Sequence, residues 1–250
     1  MPVTSIQFGQ QPWFYANGLK ISNDATTPTT QLDIATGACM DSTGVYQIES
    51  TLPLVINAAS NGLNGLDTGS LAASTVYHVF LVADPVDENA VGAMVSLSDT
   101  PLLPFGYSIY KRIGYVTTSA GSVFLAGYWT AGNSASRLFT YDAPIICLSA
   151  GTQTSYTGVA LTDFVPPVAD TPVILYSNFT ANAAADIENL QGYNSTGDAV
   201  TIVAPVAGAT AHTTSQNTVL AQLNTAAPSI KYKVSAGSLS LYVCSYQFFI

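Results

Sequence analysis

Short runs of aromatic and β-branched residues, broken by Gly, Asn, Asp or Pro about every 8 to 15 residues, dominate this chain. Such punctuation leaves room for strands and turns but not for long helices. The helix-forming charged residues are also missing: there are six Lys plus Arg, and Glu occurs only at Glu49, Glu88 and Glu188. The runs predict strands near Thr4–Phe8, Trp13–Tyr15, Leu19–Ser22, Gln31–Ala35, Val45–Glu49, Leu52–Asn57, Thr75–Ala83 and Ala93–Leu97. They continue near Ile113–Thr117, Val123–Trp129, Ile145–Ser149, Tyr156–Leu161, Val173–Thr180, Ala199–Val203, Ser229–Val234 and Leu239–Phe249. Asn17-Gly18 predicts a two-residue hairpin. Only Thr218–Leu223 and Ala183–Leu190 invite a helical reading.

Charge excludes several partners. Charged residues make up 8% of the chain, against about 25% in a typical globular domain. Six cations against fifteen acids, net −9, supply no basic groove for nucleic acid. The same sign argues against anionic membrane surfaces. No apolar run approaches the roughly 18 residues of a membrane span, so no membrane insertion is expected. The start, Met1-Pro2-Val3-Thr4-Ser5, lacks the basic and apolar regions of a signal peptide. Synthesis and folding in a cytoplasm are therefore expected, with Cys39, Cys147 and Cys244 as buried, reduced thiols.

A polar, small-residue stretch, Thr130-Ala131-Gly132-Asn133-Ser134-Ala135-Ser136, suggests a boundary near residue 135. Ser119-Ala120-Gly121-Ser122 and Ser235-Ala236-Gly237-Ser238 each lead into a long aromatic strand, a faint internal echo. The expectation is an all-β protein of two β-sandwich, jelly-roll-like domains, 1–135 and 136–250. In Thr75–Ala83 both parities are apolar, which predicts a strand covered on both faces. The chain ends Tyr246-Gln247-Phe248-Phe249-Ile250. A solvated end does not carry such residues. It is either tucked into a core or held against another subunit. Low surface charge favours the second, so Tyr246, Phe248, Phe249 and Ile250 are the candidate interface residues.

Chemistry is sparse. There is no nucleophile elbow, zinc-protease helix, phosphate-binding loop, paired C-x-x-C or dinucleotide fingerprint. The Gly-rich stretch Gly62 to Gly69 fits none of these and reads as a loop. His78 and His212 are the two histidines, too few for a multi-histidine metal site. His78 reads as a core or interface residue, and His212 as a loop residue. Two acidic places could each offer one carboxylate for glycoside hydrolysis: Asp84 with Asp87 and Glu88, and Asp186 with Glu188, which share a face if extended. Solvated turns are the simpler reading, and calcium at the first turn lacks a known loop spacing. No catalytic residue, metal or cofactor is therefore assigned. Trp13-Phe14-Tyr15 and Gly127-Tyr128-Trp129 would serve sugar stacking only if exposed.

Several stretches resemble structural proteins of tailed bacteriophages. They are Tyr15-Ala16-Asn17-Gly18-Leu19, Leu32 through Ser42, Thr75 through Asp84, Leu103-Pro104-Phe105-Gly106-Tyr107 and Lys111-Arg112-Ile113-Gly114-Tyr115-Val116. Their order resembles a module of tail-fibre and head-fibre proteins, whose last element is often Arg-Arg-Ile-Gly; Lys111 departs from it. Leu148 through Thr157 and Leu161 through Ala169 resemble another fibre-associated β-domain. No shaft repeat of coiled-coil or collagen type is present, so a compact knob or short fibre fits better than a long one.

The resemblance implies a non-enzymatic virion protein, assembled as a homotrimer and partnered by other virion proteins of tail or capsid. Its expected role is a short tail fibre or spike, or a fibre anchor, in host attachment. The surface met would be a host glycan or protein. A capsid decoration or head-fibre protein that stabilises the shell is the alternative, and a carbohydrate-binding lectin is one from another class.

Overall fold

The computed structural model describes residues 15–87, 90–130, 136–168, 171–183, 185–197, 200–203, 211–224 and 227–249. The expected strand at Thr4–Phe8, the Trp13-Phe14 pair, the 135 boundary and Ile250 lie outside these. Among the described residues every regular element is a strand. The chain divides into two compact units, one of Met1–Asp142 with Phe248–Ile250, the other of Ala143–Gln247.

The first unit carries β1 (Ala16–Gly18), β2 (Ile21–Asn23), β3 (Gln31–Ile34), β4 (Gly37–Met40), β5 (Gln47–Ser50) and β6 (Leu54–Asn61). It continues with β7 (Gly65–Leu66), β8 (Val76–Ala83), β9 (Val91–Ser96), β10 (Ile109–Thr117) and β11 (Gly127–Trp129). Ser136–Asp142, the start of β12 (Ser136–Gly151), complete it. One sheet has the order β1-β4-β5. The other runs β10-β8-β9-β7-β6-β3-β2-β11, with β12 beside β11. The Gly-rich stretch is not all loop: it contains β7, parallel to both β6 and β9.

In β8, Tyr77, Val79, Phe80, Leu81 and Val82 are all fully buried, so both faces of this strand are covered. Its apolar residues at both parities leave no face that water could solvate. Trp129 is also fully buried; it packs edge-on against Phe248, which meets Tyr115 in turn.

Asn17-Gly18 closes no hairpin. β1 pairs with β4, while β2 pairs with β3. At Gly18-Leu19 the chain passes from one sheet to the other, and β3 to β4 makes the same change at Ala35-Thr36. The two crossings touch. A Cβ on Gly37 would collide with the Asn17 carbonyl and the Leu19 amide, and one on Gly18 with the Thr36 carbonyl. Gly18 has φ 68° and Leu19 φ 53°, so the crossing uses two consecutive left-handed residues.

The second unit holds the rest of β12, then β13 (Thr157–Ala160), β14 (Thr171–Ala181), β15 (Ile187–Gly192) and β16 (Val200–Val203). β17 (Ala211–Asn224), β18 (Ala227–Val234) and β19 (Ser238–Phe249) follow. β19, β14 and β17 are neighbours in that order. β17 then passes to β18, which pairs with both β13 and β15, and β15 pairs with β16. The period-2 pattern is plain in β14. Val173, Leu175, Ser177, Phe179 and Ala181 are fully buried, and the residues between them are half-buried.

Neither helical reading survives. Thr218–Leu223 lies in β17, where Val219 and Ala221 are buried and Leu220 is 46% exposed. That alternation fits a pleat, and its pairing with β14 overrides a weak helix propensity. Ala183–Leu190 splits into a turn and β15, because the Asp186 carboxylate caps the Asn182 and Ala183 amides at 2.8 Å. His212 is in strand β17 opposite Thr180, not in a loop.

Candidate functional site

The apolar end of the chain turns inward where it is described. Tyr246 is fully buried in the second unit, and Phe248 is 1% exposed in the first. The side chain of Phe249 and all of Ile250 lie outside the described residues. Of the two places open to this end, core and partner surface, Tyr246 and Phe248 occupy the core.

Asp84, Asp186 and Glu188 are each held locally. Asp84 accepts the Val86 amide at 2.8 Å within its turn. Asp186 caps its own turn and accepts from Ser235 Oγ at 3.4 Å. Glu188, two residues on, faces the other way. Its residue is fully buried, and Ser177 Oγ donates to Oε2 at 3.3 Å. Burial pushes its carboxyl up to about 7, against the smaller lowering effect of Ser177. Asp186 and Glu188 share no face because Asp186 precedes the strand. Among the described residues no group of three or more His, Cys, Asp and Glu could hold a metal ion.

Other ionisable groups are held by structure. Asp41 is buried and accepts from the Thr43, Val45 and Tyr46 amides and the Thr43 hydroxyl. His78 stacks on Phe80 and meets Tyr115, and Arg112 Nη1 lies 3.3 Å from Nδ1. Burial first, then the Arg112 charge, pulls this imidazole down to about 4. Cys39 is buried and pushed up to about 12 by that burial. Cys147 is half-buried and also raised to about 12. All three thiols are free. Trp129 is core, while Tyr128 is 40% exposed with Lys20 Nζ 5.2 Å from its ring.

Two surfaces stand out instead. The first is in unit one. Leu103 and Tyr107 pack on the buried Phe80, Val82 and Met94. Between these anchors the Pro104–Tyr107 turn closes with a 3.1 Å hydrogen bond and holds Phe105 wholly in solvent. Val86, on the Asp84 turn beside it, is 89% exposed, and Leu102 66%. A Cβ on Gly106 would lie 3.4 Å from Asp84 Oδ2, which places the two turns together.

The second is the outer face of β13, β18, β15 and β16. Strand register aligns Lys233 with Asn189, and Asn189 with Thr201. One row over, Gly158, Lys231 and Gln191 align. Lys233 Nζ lies 4.3 Å from the centre of the Tyr156 ring, and Lys231 Nζ 4.9 Å from that of Tyr193. Beneath these side chains Asn189 and Gln191 are only 6% and 3% exposed. Neither surface was singled out from sequence as a site. The second had a signal: in Ile230-Lys231-Tyr232-Lys233-Val234 the only two cations of the unit share one strand parity.

No family model and no curated protein matches the chain. Among solved structures it is similar to a carbohydrate-binding module from Cellvibrio mixtus lichenase 5A, at 16% identity and TM-score 0.24. That match covers 50% of this chain and 87% of the module. It is also similar to the VP2 subviral particle protein of infectious bursal disease virus, at 11% identity and TM-score 0.23, over 99% and 75% of the two chains. These distant likenesses carry neither a fold assignment nor a function.

Proposed function

We propose that this protein is a non-enzymatic structural component of a bacteriophage virion. In this reading it is a short tail fibre, spike or fibre anchor that assembles as a homotrimer and takes part in host attachment. The observation that carries the reading is the Phe105 turn. A large apolar side chain fixed in water between two half-buried anchors gives a free monomer no stability, and it suits a protein that meets another surface. The turn belongs to Leu103-Pro104-Phe105-Gly106-Tyr107, one of the stretches that resemble fibre modules. The low surface charge and the turn-bound carboxylates of Asp41, Asp84 and Asp186 fit contact better than reaction.

Light scattering on the purified protein, joined to mass spectrometry of purified particles, tests it. Three copies of the 26.1 kDa chain weigh about 78 kDa. A trimer found in particles at low copy supports a tail component. A high copy number over the shell would move the protein to capsid decoration. A stable monomer absent from particles overturns the proposal.

A further inference from the structure

Phe105 is a knob. Its ring stands wholly in solvent on the Pro104–Tyr107 turn, and Val86, 89% exposed, is on the turn beside it. Acids rim this knob. Asp84 and Asp87 both bear on Tyr107, whose hydroxyl is pushed up by burial first and by these two charges after it.

A cleft with the opposite rim lies on the second unit. It measures about 260 Å³ and is lined by Thr154, Ile187, Asn189, Lys233, Val234 and Ser235. Pockets for drug-sized ligands run to about 300–1,000 Å³, so this one suits a single aromatic side chain. Ile187 and Val234 are its apolar wall, and strand register sets Val203, 52% exposed, beside Ile187.

Charge favours one occupant. Of the six cations, Lys111 and Arg137 are buried, Arg112 lies over Tyr115, and Lys20 lies over Tyr128. Lys231 and Lys233 are the one pair on the same face of one strand, and Lys233 is at the cleft itself. Tyr156 and Tyr193 hold the two ammonium groups in place. Asp186, beside Ser235, has its carboxylate held by the Asn182 and Ala183 amides. On a chain of net charge −9, an acid-rimmed knob meets repulsion over most of a second copy. This cleft is where that copy offers a cationic rim and an apolar hole together.

We propose that the Phe105 turn of one copy seats in this cleft of a second copy, with its ring against Ile187 and Val234 and its acids toward Lys233 and Lys231. The two patches differ, so the contact is heterologous and passes from copy to copy until a ring closes. A ring of three is the assembly that the proposed function calls for, and the inference rests on that reading for the number of copies alone.

Light scattering on the full chain tests it by complementation. Phe105→Ser removes the knob, and Thr154→Trp, at an exposed residue of the cleft, fills the hole. Each variant alone is expected to be monomeric at concentrations where the parent is a trimer. Mixed one to one, they are expected to form a dimer of about 52 kDa, twice the 26.1 kDa chain. The intact cleft of the first takes the intact knob of the second. D87K and K233E are each expected to weaken assembly about tenfold or more. D87K/K233E in one chain is expected to restore most of it, which a damaged turn does not do. Melting curves on each variant show that the fold is kept.

A parent that stays monomeric overturns the inference. So do single variants that assemble as the parent does, or a mixture that stays monomeric. A trimer in particles that still forms with the cleft filled refutes this contact and leaves the virion reading standing. A mixed dimer from a protein absent from particles does the reverse.

Discussion

Arg137 Nη1 donates to the Leu19 carbonyl at 2.8 Å, and Leu19 is a buried, non-glycine residue at φ 53°. The same guanidinium donates from Nη2 to the Gly18 carbonyl at 3.0 Å. A strand far along the chain thus holds the point where β1 leaves its sheet for β2. The left-handed region costs an L-residue about 1–2 kcal/mol. The fork of Arg137 answers the carbonyls that the crossing turns away from both ladders. Burial is its cost, and it draws the guanidinium down to about 10.

Arg137→Met is expected to lower stability by about 2–4 kcal/mol, because a buried and a half-buried carbonyl lose charged donors. Arg137→Lys should recover part of this, since an ammonium lacks the planar fork. Urea unfolding followed by fluorescence reads both. A loss under about 0.5 kcal/mol for the methionine variant would remove Arg137 from this role.

Gly37→Ala should be worse tolerated than its size suggests. The new Cβ meets the backbone of Asn17 and Leu19, which cannot turn aside like a side-chain end. A loss of more than about 3 kcal/mol, or no soluble protein, is expected. Gly197→Ala supplies the contrast, since nothing lies within 4 Å of its Cβ position. It should stay within about 0.5 kcal/mol of the parent in the same melt.

This crossing also shows where sequence reading stops. The strand character of Ile21–Asn23 was legible in the run Leu19–Ser22, whereas β1 lies where a turn was expected. Asn17-Gly18 reads as a hairpin because the pair favours left-handed backbone, and Gly18 does adopt it. What local preference does not contain is the partner. Gly18 serves a contact with Gly37, and Arg137 closes the site from far away in sequence. The covered strand Thr75–Ala83 was legible for the opposite reason, since apolar residues at both parities need no knowledge of a partner. Lys231 and Lys233 were visible as residues. Their placement over Tyr156 and Tyr193 depends on the β13–β18 register and on the turn after Gly192, neither of which leaves a local mark.

Glu188 should make stability fall as pH rises. Its folded value, about 7, lies above the usual 4.5, so between these values the folded state holds more protons than the unfolded one. The cost is absent below about pH 4.5 and complete above about 7. Glu188→Gln removes the titration and is expected to gain on the order of 2 kcal/mol over the parent at pH 8, with little difference at pH 4.5. Urea midpoints at the two pH values decide it, and equal gains at both would mean that packing rather than charge separates the two proteins.

His78 works in the other direction. Its folded value, about 4, lies below the usual 6.5, so stability falls as pH drops through that window while the unfolded state takes up the proton. Arg112 Nη1 faces Nδ1 at 3.3 Å, which makes Nδ1 the acceptor and puts the proton on Nε2. Nitrogen NMR of the imidazole should show this tautomer at pH 7 and little charging at pH 5. Half-protonation near pH 6.5 would contradict the burial and the arginine contact together.

The two apolar places, Phe105 and Phe248, should separate assembly from folding. Phe105 touches solvent alone, and its anchors Leu103 and Tyr107 hold the turn without it. Phe105→Ser with Val86→Ser should therefore leave the melting temperature within a degree or two and weaken any self-association seen by light scattering. Phe248 is 1% exposed against Tyr115 and Trp129, so Phe248→Ala opens a cavity and should cost about 3–5 kcal/mol in the isolated chain. Loss of assembly after trimming the last three residues would then follow from a damaged core. Only a variant that keeps its melt and loses its partner marks an interface. If the Phe105 and Val86 double variant assembles as the parent does, the turn is not the contact surface, and the search moves to other exposed apolar residues such as Leu52 and Leu97.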